Sequence, residues 1–264
     1  MKKIAIIAVV GLGFLFSCSL DSDEFQGPIT SKINVTMLED VSGEDPFFQI
    51  LFESTNLYEC SNYNILMTVD ADENKLDIVF NEIYKNSTCR SETGPAYNVY
   101  SFSKIVNGTY NLSLKVKDKP ASTGTLVISD TGYTLDMTES DDFAFVNPQV
   151  YRMPEGILWG SIQKYSESQQ SNTLVDNFFD LLSDNGLADT ALVKGDYTYF
   201  LIDEENKVSL RRASATPAGT SAFVFYLDED SVSRNNLKIA ISDFRGKYSQ
   251  YVKVDMFDWI GTIY

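Results

Sequence analysis

Acidic side chains are clustered along this chain, and carboxylates can do chemistry. Asp70, Asp72 and Asn74 have the alternating spacing that opens a calcium-binding loop. The complete loop also needs Gly at its sixth position and Glu at its twelfth. Lys75 and Asn81 stand there instead, so a polar hairpin tip accounts for the stretch better. Further clusters lie at Asp141-Asp142, Asp203-Glu204-Glu205 and Asp228-Glu229-Asp230. Two carboxylates ~5–9.5 Å apart across a cleft could hydrolyse a glycosidic bond. Adjacent acids in a strand point to opposite faces, however, and acids in turns face water. The spacing singles out no pair.

The chain has no histidine. That excludes Ser-His-Asp and Cys-His catalysis, histidine-ligated zinc and histidine pH switches. Phosphate-loop, dinucleotide-binding and nucleophile-elbow motifs are missing too. No metal or cofactor is expected, and an enzyme on this chain would have to work with carboxylates, Tyr, Lys, Ser or Thr. The net charge is −16, from 37 acids against 21 bases. Nucleic acid and anionic lipid surfaces are repelled by such a chain, since binding either rests on basic patches.

Aromatic rings are the other candidates. Tyr97, Tyr100, Phe102, Trp159 and Trp259 could stack on sugar faces while their polar atoms bond hydroxyls. Core packing and cross-strand ring pairs are the competing use of the same residues.

The elements that would carry these groups are mostly strands. Residues 28–148 read as an antiparallel β-sandwich, immunoglobulin-like, or a small barrel. Short strands with turn signals at about ten-residue spacing support this. The clearest unit is Tyr110, Leu112, Leu114 and Val116, which alternate with polar residues. Asn107-Gly108 before it is a favoured hairpin dipeptide. Residues 149–264 read as an α+β domain, with an antiparallel sheet and one helix near 173–185. Leu174, Val175, Phe178, Phe179, Leu181 and Leu182 share one face of that helix. Gly186 stands where a left-handed residue would end it, with Leu187 folding back on Leu182. Leu237 to Ile241 is expected as a strand. The chain between the domains, about 145–160, is the default place for a ligand groove.

The N-terminus carries an address. Lys2 and Lys3 precede an apolar run from Ile4 to Phe16, too short to span a membrane comfortably and suited to a signal peptide of residues 1–17. Leu15-Phe16-Ser17-Cys18 resembles the lipobox of bacterial lipoproteins, with Phe16 bulkier than the usual spacer. The resemblance implies cleavage before Cys18 and acylation of that residue, which anchors the chain in a membrane. Residues 18–27 form a tether with Asp21, Asp23 and Glu24. It resembles the acidic export signal of surface-exposed lipoproteins in some Gram-negative bacteria. The implied location is the outer membrane, lipid-anchored at the cell surface or otherwise on its periplasmic face.

With Cys18 lipidated, Cys60 and Cys89 remain. An even pair in an exported protein reads as a disulfide. The expected function is a non-catalytic binding module for a glycan or an envelope protein. The alternatives are an appendage subunit joined by strand addition and a carboxylate-based glycan hydrolase.

Overall fold

Alternation of apolar and polar side chains builds the larger sheet. The computed structural model describes residues 25–41, 46–86, 93–102, 104–211, 218–228 and 233–264. The strands run β1 (Phe25–Gly27), β2 (Ile33–Asp40), β3 (Phe47–Tyr58), β4 (Tyr63–Asp72), β5 (Lys75–Lys85), β6 (Gly94–Ser101), β7 (Gly108–Val116), β8 (Ser122–Ile128), β9 (Gly132–Met137), β10 (Phe143–Phe145) and β11 (Gln149–Tyr151). Every second residue of β2, β5 and β7 is buried: Ile33, Val35 and Met37; Leu76, Ile78 and Phe80; Leu112, Leu114 and Val116. These side chains meet in one core on the inner face of a large curled sheet.

The strand order is β10-β2-β3-β6-β4-β5-β7-β8-β9-β11, with β1 on β5. Most neighbours are antiparallel, but β10 with β2, β5 with β7 and one bridge between β4 and β6 are parallel. The purely antiparallel expectation is therefore corrected to a mixed sheet. Asn107-Gly108 does not turn a hairpin either. The strand after it pairs with β5 and β8, not with β6. A parallel partner cannot be reached through a two-residue turn, so the dipeptide ends a longer loop.

The two outer strands of this sheet, β10 and β11, are successive parts of one stretch. Val146 N donates to Val35 O at 3.0 Å, and Leu135 N to Pro148 O at 2.8 Å. Between them Asn147 acts like a piece of backbone. Its Oδ1 accepts from Met37 N and its Nδ2 donates to Met37 O, both at 2.8 Å. Residues 143–151 thus bond to β2 at one end and to β9 at the other.

The rest of the chain holds β12 (Ile157–Lys164), α1 (Gln169–Asp184), β13 (Ala188–Asp189), β14 (Gly195–Asp196), β15 (Phe200–Ile202), β16 (Val208–Leu210), β17 (Thr220–Tyr226), α2 (Arg234–Tyr248) and β18 (Val252–Asp258). Four of the strands form an antiparallel sheet in the order β13-β17-β12-β18, and β14-β15-β16 form a smaller one. Both helices cover one face of the four-stranded sheet, through Leu174, Phe178, Leu237, Ile241 and Phe244. Its other face packs Trp159 against Tyr197, Phe200 and Val41. β12 is buried on both faces, so its sequence is almost continuously apolar. Gly160 is needed there, because a Cβ would meet Asp255 O at 2.1 Å.

Helix α1 starts earlier than its spacing suggests. Ser168 caps it, accepting from Ser171 N at 3.1 Å. Its end follows the expected chemistry: Gly186 has φ +81, Gly186 N donates to Ser183 O and Leu187 N to Leu182 O. The second helix corrects the strand expected at Leu237–Ile241. Leu237, Ile239 and Ile241 fit a strand period, but Leu237, Ile241 and Phe244 fit a helix. Ile239 is 53% exposed, so the helical period governs burial.

Replacing Asn147 with Ala should lower stability by about 2 kcal/mol, because both buried backbone groups of Met37 lose their partner. A urea unfolding midpoint unchanged from wild type would show that water replaces the side chain there.

Candidate functional site

The inward period of β2 continues past Met37 to Glu39, which places an acid on an apolar face. Glu39 is 4% exposed. Its carboxylate is satisfied by two segments distant in sequence. Tyr133 Oη on β9 donates to Oε1 at 2.9 Å, and Met153 N just after β11 donates to Oε2 at 2.7 Å. The Glu39 backbone N donates to Thr198 Oγ1 at 2.6 Å, and Val41 N to Tyr199 Oη at 3.2 Å. The end of β2 is therefore tied to the β14–β15 turn as well.

Burial raises the Glu39 pKa above its ordinary value, while the Met153 N–H, the Tyr133 hydroxyl and the Arg152 charge oppose the rise. Burial and the facing Glu39 charge push the Tyr133 phenol up in turn. The Arg152 guanidinium lies 5.4 Å from the centre of the Tyr133 ring. It also donates to Asn107 Oδ1 at 3.2 Å, and Asn107 Nδ2 donates to Asp130. A polar chain thus runs outward from the buried acid to exposed Asp130.

These residues border a cleft of about 1030 Å³. Buried Glu39 and Tyr197 form its base. Tyr151, Arg152, Met153, Pro154 and Glu155 form one wall, Ala191, Leu192 and Val193 another. Phe47, 42% exposed, and Val193, 57% exposed, bring apolar surface to the rim. Tyr151 bridges to Tyr197 in parallel. Gly195 packs so closely below that a Cβ would meet the Tyr151 ring at 2.6 Å. The Tyr197 phenol, which donates to Val193 O, is pushed up to about 12 by burial and by Tyr151. Two cations, Lys104 and Arg152, line the cleft, and neither enters a salt bridge among the described residues. Arg152 Nε is buried without a hydrogen-bond partner.

The five aromatic candidates are not brought together, and none lines this cleft. Tyr97 is exposed on β6. Tyr100 is half-buried against Phe102, with ring centres 5.0 Å apart, and Phe102 belongs to the main core. Trp159 is buried between Tyr199 and Phe257 at 5.0 and 5.9 Å. Trp259 is half-buried under the Arg234 guanidinium at 4.2 Å. Cys60 is buried; Cys18 and Cys89 lie outside the described residues.

Three of the acid clusters serve local structure, and Glu229 and Asp230 of the fourth lie outside the described residues. Asp203 accepts from Glu205 N and Lys207 N in the β15–β16 turn. Asp142 pairs with Lys119 at 2.5 Å. Asp70 and Asp72 lead exposed into the β4–β5 hairpin. Among the described residues no group of His, Cys, Asp or Glu stands close enough to hold a metal ion. Reasoning from clusters and aromatics passed over Glu39. The available signal was an acid in register with Ile33, Val35 and Met37 on one face of a strand.

Glu39→Ala leaves the Tyr133 hydroxyl and the Met153 N–H unpaired and should cost about 3 kcal/mol. The pH dependence of Glu39→Gln separates charge from shape. The folded-state pKa lies above 4.5, so the fold favours the protonated acid. That contribution is greatest below 4.5 and is lost as pH rises through the folded pKa. Urea midpoints should show wild type gaining on Glu39→Gln as pH falls from neutral; a flat or opposite trend refutes the assignment. No family model, curated protein or solved structure matches the chain, so its function has to be argued from the chemistry of this cleft.

Proposed function

We propose that this protein is a lipid-anchored component of the cell envelope that binds a ligand in the Glu39–Arg152 cleft without turning it over. The observation that carries the reading is the cleft. At about 1030 Å³ it has the size of small-molecule and sugar sites, and it combines apolar walls with a few convergent polar groups. Tyr151 and Phe47 offer ring surface. Asp130, Thr131 and Glu155 offer hydrogen-bonding groups beside it. That pairing of flat apolar faces with polar atoms suits a glycan.

The envelope location rests on the N-terminal sequence: the apolar run, the lipobox-like Leu15-Phe16-Ser17-Cys18 and the acidic residues after it. We place a disulfide between Cys60 and Cys89, in keeping with an exported protein. It would close a loop of about thirty residues and contribute on the order of 3 kcal/mol. The double attachment of residues 143–151, to β2 and to β9, supports reading residues 28–148 as a closed barrel. Residues 149–264 then form the second, α+β domain, apart from β11 (Gln149–Tyr151), which belongs to the larger sheet, and the cleft lies where the two meet.

Catalysis by carboxylates has less support. Both oxygens of Glu39 are engaged, and Asp130 is held by Asn107. Strand addition also has less support. β18 is an edge strand, but Lys253 and Asp255 pair across it at 2.5 Å, and edge charges oppose added strands.

The purified protein should bind a member of a glycan array of host mucins and plant polysaccharides. Tyr151→Ala and Phe47→Ala should each weaken that binding about tenfold. Binding unaffected by both, or a blank from folded protein, would refute the cleft as a glycan site. For the anchor, cells fed labelled palmitate should label wild type and not Cys18→Ser.

A further inference from the structure

The charge arrangement of the cleft points to the kind of sugar it takes. This step rests on the reading of the cleft as a glycan site. We infer that the preferred glycan unit carries one singly charged anionic substituent, a carboxylate or a sulfate ester, held between Arg152 and Lys104.

Both cations line the same cleft in a chain with 37 acids and 21 bases. In such an acid-rich chain a carboxylate partner is easily found. Eight cations find one among the described residues; Arg152 and Lys104 are among those that do not, and these two share one cleft. The facing acid does not use up Arg152. Glu39 spends its oxygens on Tyr133 and on Met153 N. Arg152 NH2 donates to a neutral acceptor, Asn107 Oδ1, and the guanidinium also interacts with the Tyr133 hydroxyl and feels the Glu39 charge without forming a salt bridge to it. Its Nε, buried and unpartnered, marks a guanidinium short of acceptors. A planar guanidinium matches a carboxylate or sulfate through paired N–H bonds, and Lys104 at the exposed rim supplies a second, movable charge.

The same lining limits how much negative charge can enter. Asp130 and Glu155 stand exposed at the rim. A phosphate monoester, at about −2, doubles its attraction to the two cations but also its repulsion from the three acids of the lining, Glu39, Asp130 and Glu155, so its second charge gains nothing there. A densely charged polymer would also meet the −16 of the whole chain. One anionic sugar within a largely neutral glycan fits both limits, with its apolar face on Tyr151 or Phe47.

Titration calorimetry of the purified protein with three oligosaccharides tests this: one bearing a uronic acid, its carboxyl-reduced neutral counterpart, and a sulfated one. At least one acidic form should bind about tenfold or more tighter than the neutral form, with a preference that shrinks as salt is raised. The comparison between the two acidic forms identifies the substituent. Lys104→Gln, at an exposed position, should reduce the preference about threefold or more without affecting folding. Arg152→Gln should abolish it. Equal binding of neutral and acidic forms, or a preference that survives both variants, overturns the inference while leaving the cleft as a glycan site. Failure of every oligosaccharide, neutral forms included, overturns both.

Discussion

A carboxylate with almost no water around it must be satisfied by its neighbours, and Glu39 places that demand on segments far apart in the chain. Its side chain draws in Tyr133 from β9 and the backbone after β11. Its own N–H reaches Thr198 in the second half of the molecule. An apolar residue at the same place would keep the backbone bond to Thr198 and hold neither of the two side-chain directions. Hydrophobic contact is non-directional, whereas each bond to a buried carboxylate fixes an angle and is costly to lose. The position of Met153, and with it the wall from Tyr151 to Glu155, follows from where Glu39 points.

The wall also depends on how the large sheet ends. Residues 143–151 lie along β2 and then along β9, and Asn147 bridges the change with a side-chain amide that stands in for a peptide group. Edge strands otherwise expose unpaired backbone groups that attract other chains. Here both outer edges belong to one covalent stretch, which leads directly into Tyr151 and Arg152. The same feature that satisfies the sheet edge therefore delivers the cleft residues to Glu39.

Much of the fold was legible because period and burial agree. β7 and β9 alternate cleanly, and α1 announces its end through Gly186 and Leu187. What was not legible depended on contacts between distant segments. The spacing Leu237, Ile239, Ile241 satisfies two periods, and only the packing of α2 on the sheet leaves Ile239 in water. Asn107-Gly108 has hairpin chemistry, but a parallel pairing between β5 and β7 overrode it. Of the aromatic candidates, Phe102 and Trp159 went into cores, because large rings contribute most where water is excluded, while Tyr97 stayed exposed on β6. Glu39 was visible only as a break in an apolar face, and its partners lie 94 and 114 residues away. No local pattern connects such positions.

The acidity of the chain gives the cleft its contrast. Eight cations elsewhere among the described residues are paired with acids. Lys75 pairs with Asp77 beside a hairpin, Lys164 with Glu167 at the start of α1, and Lys194 with Glu204 between neighbouring turns. Exposed pairs of this kind contribute little to stability, but they do neutralise their lysines. A surface so arranged presents mostly uncompensated acid to its surroundings, in keeping with the net charge of −16. Lys104 and Arg152 are thus a small positive region in a negative field. Such a region is screened from bulk polyanions by its acidic rim, and it stays open to one small anionic group that can enter the cleft between the acids.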